Sequence, residues 1–136
     1  ITAATARADV RLPAIISDHM VLQAGQPIQL WGWSDKDETV NVAFDGQKAS
    51  ATGGGKWHIT LKPHKAGGPY QLTVSGKNSI TVKDILVGEC WLGSGQSNMA
   101  MLVDKSKDFE QEQKAADLPQ VRYFKEDSAS ATAALC

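Results

Sequence analysis

Residues 85–99 read ILVGECWLGSGQSNM. The part up to residue 92 is a nearly continuous apolar run, which predicts a strand that is covered on both faces. Small, flexible residues follow, and the polar pair Ser97 and Asn98 then opens a predicted helix. This layout can present a serine hydroxyl at the carboxyl edge of a sheet, where open α/β folds place their ligand sites. Ser97 is therefore the candidate nucleophile.

The chemistry expected of Ser97 depends on its neighbours. A serine hydroxyl needs an adjacent base to act as a nucleophile, and backbone N–H groups at a helix start can bind the oxyanion of acyl transfer. Gly95 permits close approach of the backbone, and Asn98 can hydrogen-bond a neighbouring loop. A plain helix N-cap is the alternative role for Ser97, because serine often fills it. Met99 stands where the nucleophile elbow of α/β-hydrolases has glycine, which disfavours that elbow.

Length and charge exclude several classes of protein. The chain has 136 residues, enough for one domain or for a small domain with part of another. Its formal net charge is −1 and no basic stripe appears, which argues against nucleic acid as a partner. No apolar run approaches membrane-spanning length, so a membrane is not expected as a partner either.

The two cysteines give little sign of special chemistry. Cys90 lies within an apolar run and is expected to be a small core residue, while the state of Cys136 stays open. The spacing of cysteines and histidines is not of a metal-binding type, so it predicts no metal site.

Residues 1–9 are rich in small side chains. They are interpreted as a flexible tail or as the remnant of a signal peptide, because residues 6–8 (ARA) fit the small-x-small rule of a secretory cleavage site. The second interpretation predicts a periplasmic or secreted protein, or a lysosomal or extracellular one in a eukaryote.

Residues 10–84 alternate between apolar and polar side chains with a period of two, which is typical of half-buried strands. The apolar positions are Ile28, Leu30, Val40, Val42, Phe44, Trp57, Ile59, Leu61, Tyr70, Leu72, Val74, Ile80 and Val82. Turn signals at 45–46, 53–55 and 66–69 separate the strands. Strands at this spacing, without helices between them, predict an antiparallel β-sandwich of jelly-roll type or a barrel.

Residues 85–136 differ in character from the region before them. Residues 97–103 begin a predicted helix, and residues 121–124 (VRYF) predict a second strand. Strand, helix and strand form the opening unit of a parallel α/β fold. Since one such unit already takes about 30 residues, this part is expected to be the incomplete start of a second domain, and residues 127–136 to be a loop.

Residues 87–99 (VGECWLGSGQSNM) resemble the first catalytic block of the sialate O-acetylesterase family, which belongs to the SGNH-type carbohydrate esterases. The upstream segments that agree, in order, are 17–23 (SDHMVLQ), 31–33 (WGW), 55–57 (GKW) and 66–70 (AGGPY). The resemblance covers roughly residues 10–125. It implies a β-sandwich that packs on an SGNH hydrolase domain, of which residues 85–136 are the start.

The resemblance also implies a site and an activity. Ser97 would be the acyl-accepting serine, with its own N–H in the oxyanion hole, and Gly95, Gln96 and Asn98 would shape the site. The intact enzyme would remove acetyl esters from sugar hydroxyls, sialic acid being the family's substrate. An O-acetylated sugar is the implied ligand, and no metal or organic cofactor is implied.

The rest of the family's machinery has no counterpart in this sequence. The further oxyanion donors, a Gly and an Asn of later blocks, are missing, and so is the Asp-x-x-His segment that supplies the base. The histidines present, His19, His58 and His64, lie in the sandwich region and are interpreted as structural. The chain alone is therefore expected to be inactive, and a second polypeptide is one source for the remaining hydrolase segment.

An alternative function is a non-catalytic β-sandwich that acts by packing or by carbohydrate binding. Trp31, Trp33 and Trp57 could form a platform on which a sugar stacks, although tryptophans in a sandwich more often serve packing.

The sequence also contains two clusters of acidic residues. A solvated helix face is predicted for Asp104, Asp108, Glu110 and Glu112. A calcium site is weakly signalled by the loop that holds Asp35, Asp37 and Glu38.

Overall fold

The computed structural model of the protein describes residues 9–52 and 54–125. The predictions for residues 1–8, for the C-terminal loop and for Cys136 lie outside the described residues. The described chain is mostly β: a curled, mixed five-stranded sheet in the form of a half-barrel, a two-stranded sheet, and one short α-helix near the C-terminal end. In this part of the chain no helix is long and apolar enough to cross a membrane.

The strands are β1 Val21–Gln23, β2 Ile28–Trp33, β3 Thr39–Phe44, β4 Gln47–Thr52, β5 Lys56–Leu61, β6 Gly67–Ser75 and β7 Ser79–Gly88. The five-stranded sheet has the order β1-β7-β6-β3-β4, and β2 pairs with β5 in the smaller sheet. After β7 come two 3-10 helices, Ser97–Ala100 and Val103–Lys105, and the helix α1, Phe109–Ala115.

The period-two pattern correctly predicted which faces of the strands are buried in the core. In β3 and β5 every second side chain is buried, and each large side chain buried in this way contributes about 2 kcal/mol relative to exposure. The strand residues of the core are Ile28, Leu30, Val40, Val42, Phe44, Trp57, Ile59, Leu61, Leu72, Val74, Val82, Ile85 and Val87. The predicted turn between β3 and β4 is also confirmed, because Asp45 and Gly46 have φ angles of 39° and 77°, as this hairpin type requires.

The prediction of purely antiparallel pairing is wrong at one edge. β1 runs parallel to β7, with Val21 opposite Leu86 and Gln23 opposite Gly88. The other pairings, β2–β5, β3–β4, β3–β6 and β6–β7, are antiparallel. A parallel neighbour requires a long crossover, and here all of β2 to β6 lies between the two strands, so no local pattern indicates the contact.

The turn predicted over residues 66–69 is instead the beginning of β6. Gly67 pairs with Val87, and the register shifts between Gly67 and Tyr70 as in a β-bulge. A Cβ atom on Gly68 would lie 2.7 Å from the carbonyl oxygen of Ile85. Gly68 therefore serves close approach of two strands, not chain reversal.

The α/β unit predicted for residues 85–124 takes a different form. Residues 85–88 are the end of β7, which starts at Ser79 and not at residue 85. The helix predicted from residue 97 is replaced by the two 3-10 helices, and residues 121–125 form no strand. A strand forms only beside another strand, and no described strand lies beside residues 121–125.

Glu38 is a buried carboxylate (6% exposed) that holds the turn between β6 and β7. It accepts the backbone N–H groups of Asp35, at 3.0 Å, and of Lys77. The Lys77 ammonium in turn pairs with the Asp35 carboxylate. These contacts use two of the three carboxylates of the candidate calcium site, those of Asp35 and Glu38. Among the described residues no group of three or more His, Cys, Asp or Glu side chains is placed to hold a metal ion.

Replacing Glu38 should weaken this turn. We expect Glu38→Ala to lower the free energy of unfolding by about 2 kcal/mol, because two backbone N–H groups lose a charged acceptor in a buried place. Glu38→Gln should cost less, since it keeps an acceptor oxygen. Urea denaturation followed by tryptophan fluorescence measures both. Asp37→Ala, at an exposed position of the same loop, is the control. Equal denaturation midpoints for Glu38→Ala and the control would contradict the assignment.

Candidate active site

Ser97 lies nine residues beyond the end of β7, at the start of the first 3-10 helix. Its side chain is exposed, and its hydroxyl makes no hydrogen bond within the described part of the chain. The N-cap position is occupied by Gln96, whose side chain does not cap. Ser97 therefore does not fill the capping role that the sequence left open.

Met99 folds back over the glycines that precede Ser97. A Cβ atom on Gly95 would lie 2.5 Å from Cγ of Met99, and one on Gly93 would lie 3.1 Å from its Cε. The backbone N–H of Met99 donates to the carbonyl of Gln96 at 2.9 Å. The absence of side chains at these glycines thus lets the turn close tightly beneath Ser97 and Asn98.

The 3-10 helix at Ser97 is too short to supply a helix dipole. It spans Ser97–Ala100, so few peptide groups align. Any oxyanion stabilisation from this segment must come from individual N–H groups. The N–H groups at the start of a helix have no partner within it, and Ser97 and Asn98 occupy that start.

Two of the three histidines of the sequence pair with aspartate side chains. Nδ1 of His19 lies 2.6 Å from Oδ2 of Asp84, and Nε2 of His64 lies 2.7 Å from Oδ2 of Asp45. The Asp45 carboxylate, followed by the Lys65 carbonyl, raises the pKa of His64. His58 lies on the exposed face of β5. None of them hydrogen-bonds Ser97, so the base for Ser97 is not among them in this structure.

Cys90 is exposed, which corrects the prediction of a core residue. An apolar run predicts burial only where other side chains cover it, and residues 89–92 are uncovered. Partial desolvation, followed by the nearby Glu89 carboxylate, raises the pKa of the Cys90 thiol. A protonated thiol is a poor nucleophile, so Cys90 does not compete with Ser97 for that role.

The tryptophans of the predicted platform are divided between two environments. Trp57 is buried, and its ring would collide with any Cβ atom on Gly32. Packing is therefore the role of Trp57. Trp31 lies on the opposite face of the small sheet with 41% of its surface exposed, and Trp33 is half-buried. Asp104 and Asp108 are exposed, as the solvated acidic face predicts, and so are Glu110 and Glu112.

An ion-pair cluster at Asp84 joins the sheet to the segment that carries Ser97. Asp84 lies within β7 at a φ of 53°, and its Oδ2 atom accepts from Nδ1 of His19 and from Nη2 of Arg122, the latter at 2.8 Å. The hydrogen bond to His19, together with the charge of Arg122, holds the Asp84 pKa below its ordinary value of 3.8. The carboxylate is thus charged at neutral pH. No local sequence pattern indicates this cluster, since its members are far apart in the chain.

Large apolar side chains lie exposed along residues 91–124, and we call this set the apolar strip. Its members are Trp91, Leu92, Met99, Met101, Leu102, Val103, Leu118, Val121, Tyr123 and Phe124. Trp91 and Leu92 are 90% and 95% exposed. So many exposed apolar side chains within one segment indicate a place where another part of a protein packs.

Solved structures place this chain beside carbohydrate esterases. A carbohydrate acetylesterase from Xanthomonas citri superposes with a TM-score of 0.79 at 39% sequence identity, over 82% of this chain and 26% of that one. No protein-family model matches the sequence. This likeness relates the chain to part of a carbohydrate acetylesterase.

Curated relatives give the family. The sialate O-acetylesterase of Rattus norvegicus is 36% identical over 107 residues, and that of Homo sapiens is 36% identical over 109 residues. Each match covers 68% of this chain and 20% of the relative, so the chain spans about a fifth of the length of these proteins. The chain is therefore homologous to the sialate O-acetylesterases over that part. This partial, family-level match confirms the resemblance seen in the sequence.

Breaking the Asp84 cluster should loosen the Ser97 segment. We expect Arg122→Ala to speed chymotrypsin cleavage after Tyr123 or Phe124 about two- to fivefold. The expected size corresponds to the stabilisation that a partly exposed ion pair usually gives. Asp84→Asn should have a similar effect, and the double variant should add little. The lowered pKa keeps the cluster intact at the neutral pH of the assay, and its contribution is lost only when the pH falls through that pKa. Lys107→Ala, on the same segment, is the control, and cleavage of Arg122→Ala at the control rate would contradict the role.

Proposed function

We propose that this chain is the part of a carbohydrate O-acetylesterase that carries the nucleophile, and that Ser97 is that nucleophile. The substrate is an O-acetylated sugar, with sialic acid or a related glycan as the sugar. The observation that carries the proposal is the exposed, unbonded hydroxyl of Ser97 in the GSGQSNM stretch of a chain homologous to sialate O-acetylesterases.

In the proposed reaction, Oγ of Ser97 attacks the carbonyl carbon of the acetyl ester while a base takes the hydroxyl proton. The resulting oxyanion is stabilised by N–H groups, to which the backbone of Ser97 contributes, and Gly95, Gln96 and Asn98 shape this turn. Collapse breaks the bond to the sugar oxygen, which receives the proton from the base. Water then attacks the acetyl-serine with the help of the same base, and acetate leaves with the serine restored.

The base and the remaining oxyanion donors belong to polypeptide beyond the described residues. All histidines of this sequence are accounted for, and none hydrogen-bonds Ser97. The apolar strip supports this proposal, because a surface of that kind fits the interior of a larger hydrolase domain. In this proposal the jelly-roll-like sandwich extends through β7 to Gly88, four residues beyond the predicted boundary at residue 84, and the SGNH hydrolase domain begins after it. The rest of that domain belongs to the same polypeptide or to a second one.

A location outside the cytoplasm, periplasmic or secreted, is part of the same proposal. It depends on the cleavage-like residues 6–8 and on the class of substrate.

The test uses the native polypeptide in which this chain occurs, with any partner that co-purifies. We expect Ser97→Ala to lower kcat on O-acetylated N-acetylneuraminic acid by about 10⁴-fold or more, because the covalent step is lost. Ser94→Ala is the matched control in the same turn and should change kcat by less than about twofold. Release of acetate reports the rate.

The 136-residue chain alone gives the complementary result. It should release acetate no faster than its own Ser97→Ala variant, since the base is missing. An unchanged rate for Ser97→Ala in the native polypeptide would overturn the assignment of the nucleophile.

A further inference from the structure

The outer face of the small β2–β5 sheet carries aromatic, polar and cationic side chains but no carboxylate. In the antiparallel register Gln29 lies opposite Thr60, Trp31 opposite His58, and Trp33 opposite Lys56. Their side chains lie on the face away from the core, because the alternate residues of both strands are buried. We call these residues the outer face.

Trp31 is the side chain of the outer face best placed to stack on a ligand. It is 41% exposed, whereas Trp33 and Tyr70 are half-buried and Phe44 and Trp57 are buried. A sugar has an apolar C–H face that suits an indole ring, and its hydroxyls need polar neighbours. Such neighbours stand on both sides of Trp31. Thr60 Oγ1 donates to Gln29 Oε1 at 2.9 Å, which leaves the Gln29 amino group as a donor.

Cations flank the second indole ring of the outer face. The Arg11 guanidinium lies over the Trp33 ring, 5.9 Å from its centroid, and Lys56 is directly opposite Trp33 in the neighbouring strand. The chain as a whole has a net charge of −1, so positive charge on this face is a local feature. A carboxylate on the ligand complements these charges.

The backbone beneath the rings is rigid. Arg11 and Trp33 exchange backbone hydrogen bonds of 2.9 and 3.0 Å. A Cβ atom on Gly32, which lies between the two tryptophans, would collide with the Arg11 carbonyl and the Trp57 ring. These contacts fix the backbone that carries the two rings before any ligand arrives, which lowers the entropy lost on binding.

We propose that the outer face binds a carboxylate-bearing sugar, separately from the chemistry at Ser97. The sugar ring stacks on Trp31, and its carboxylate pairs with Lys56 and Arg11. Its hydroxyls hydrogen-bond Gln29 and His58. The inference uses none of the residues assigned to catalysis, so loss of the nucleophile assignment leaves it intact.

The experiment titrates the ¹⁵N-labelled chain with N-acetylneuraminic acid and follows the indole N–H signals. We expect saturable shifts of the Trp31 and Trp33 signals, with those of Trp57 and Trp91 unmoved, and a Kd of about 1 mM, as one stacked ring and an exposed ion pair allow. Trp31→Ala should weaken binding about tenfold. Trp91→Ala, which removes a more exposed tryptophan outside the outer face, should leave Kd unchanged.

Charge is tested with a second variant and a second sugar. Lys56→Glu should weaken binding of N-acetylneuraminic acid about tenfold while the indole spectrum stays that of a folded sheet. The neutral methyl ester of the same sugar should bind the unmodified chain with a similar loss. Absence of saturable shifts, equal affinity of Trp31→Ala, or equal affinity for the ester would each overturn the proposal.

Discussion

The pairing of β7 with β6 on one side and β1 on the other is the constraint on which the described structure depends. Val82, Ile85 and Val87 of this strand are buried in the core. The same strand ends at Gly88 and leads directly into the segment with Ser97. Because the core fixes β7, it also fixes the point at which that segment leaves the sheet. Asp84 adds a second attachment there through Arg122.

Sequence patterns predicted the parts of the fold that depend on local alternation. Val40, Val42 and Phe44 are buried together because a one-residue slip would turn all of them to solvent, so the pattern specifies the register. Contacts between distant segments left no such trace. His19 and Asp84 are 65 positions apart, and the parallel contact of β1 with β7 spans a similar interval. Burial of Cys90 was wrongly predicted for a different reason: an apolar run does not reveal whether other side chains cover it.

The sequence predicts one residue of the candidate site, Ser97, but not the groups that would act with it. The GSGQSNM stretch is the basis of that prediction, and homology to sialate O-acetylesterases over about a fifth of their length supports an esterase relation. The chemistry of a serine nucleophile is shared among groups that meet only in the folded protein. The apolar strip and the unbonded hydroxyl have one physical explanation: the sheet completes its own core, and the segment after Gly88 does not.

Hydrogen exchange of the chain, read by mass spectrometry, tests this explanation most directly. Amides of β6 and β7 should exchange about a thousandfold more slowly than unprotected amides, because their opening requires disruption of the core. Amides of residues 89–125, whose helical turns bury no core side chains, should exchange at least about a hundredfold faster than those of β7. Protection of residues 89–125 equal to that of β7 would show that the segment has a core of its own, and would contradict the account.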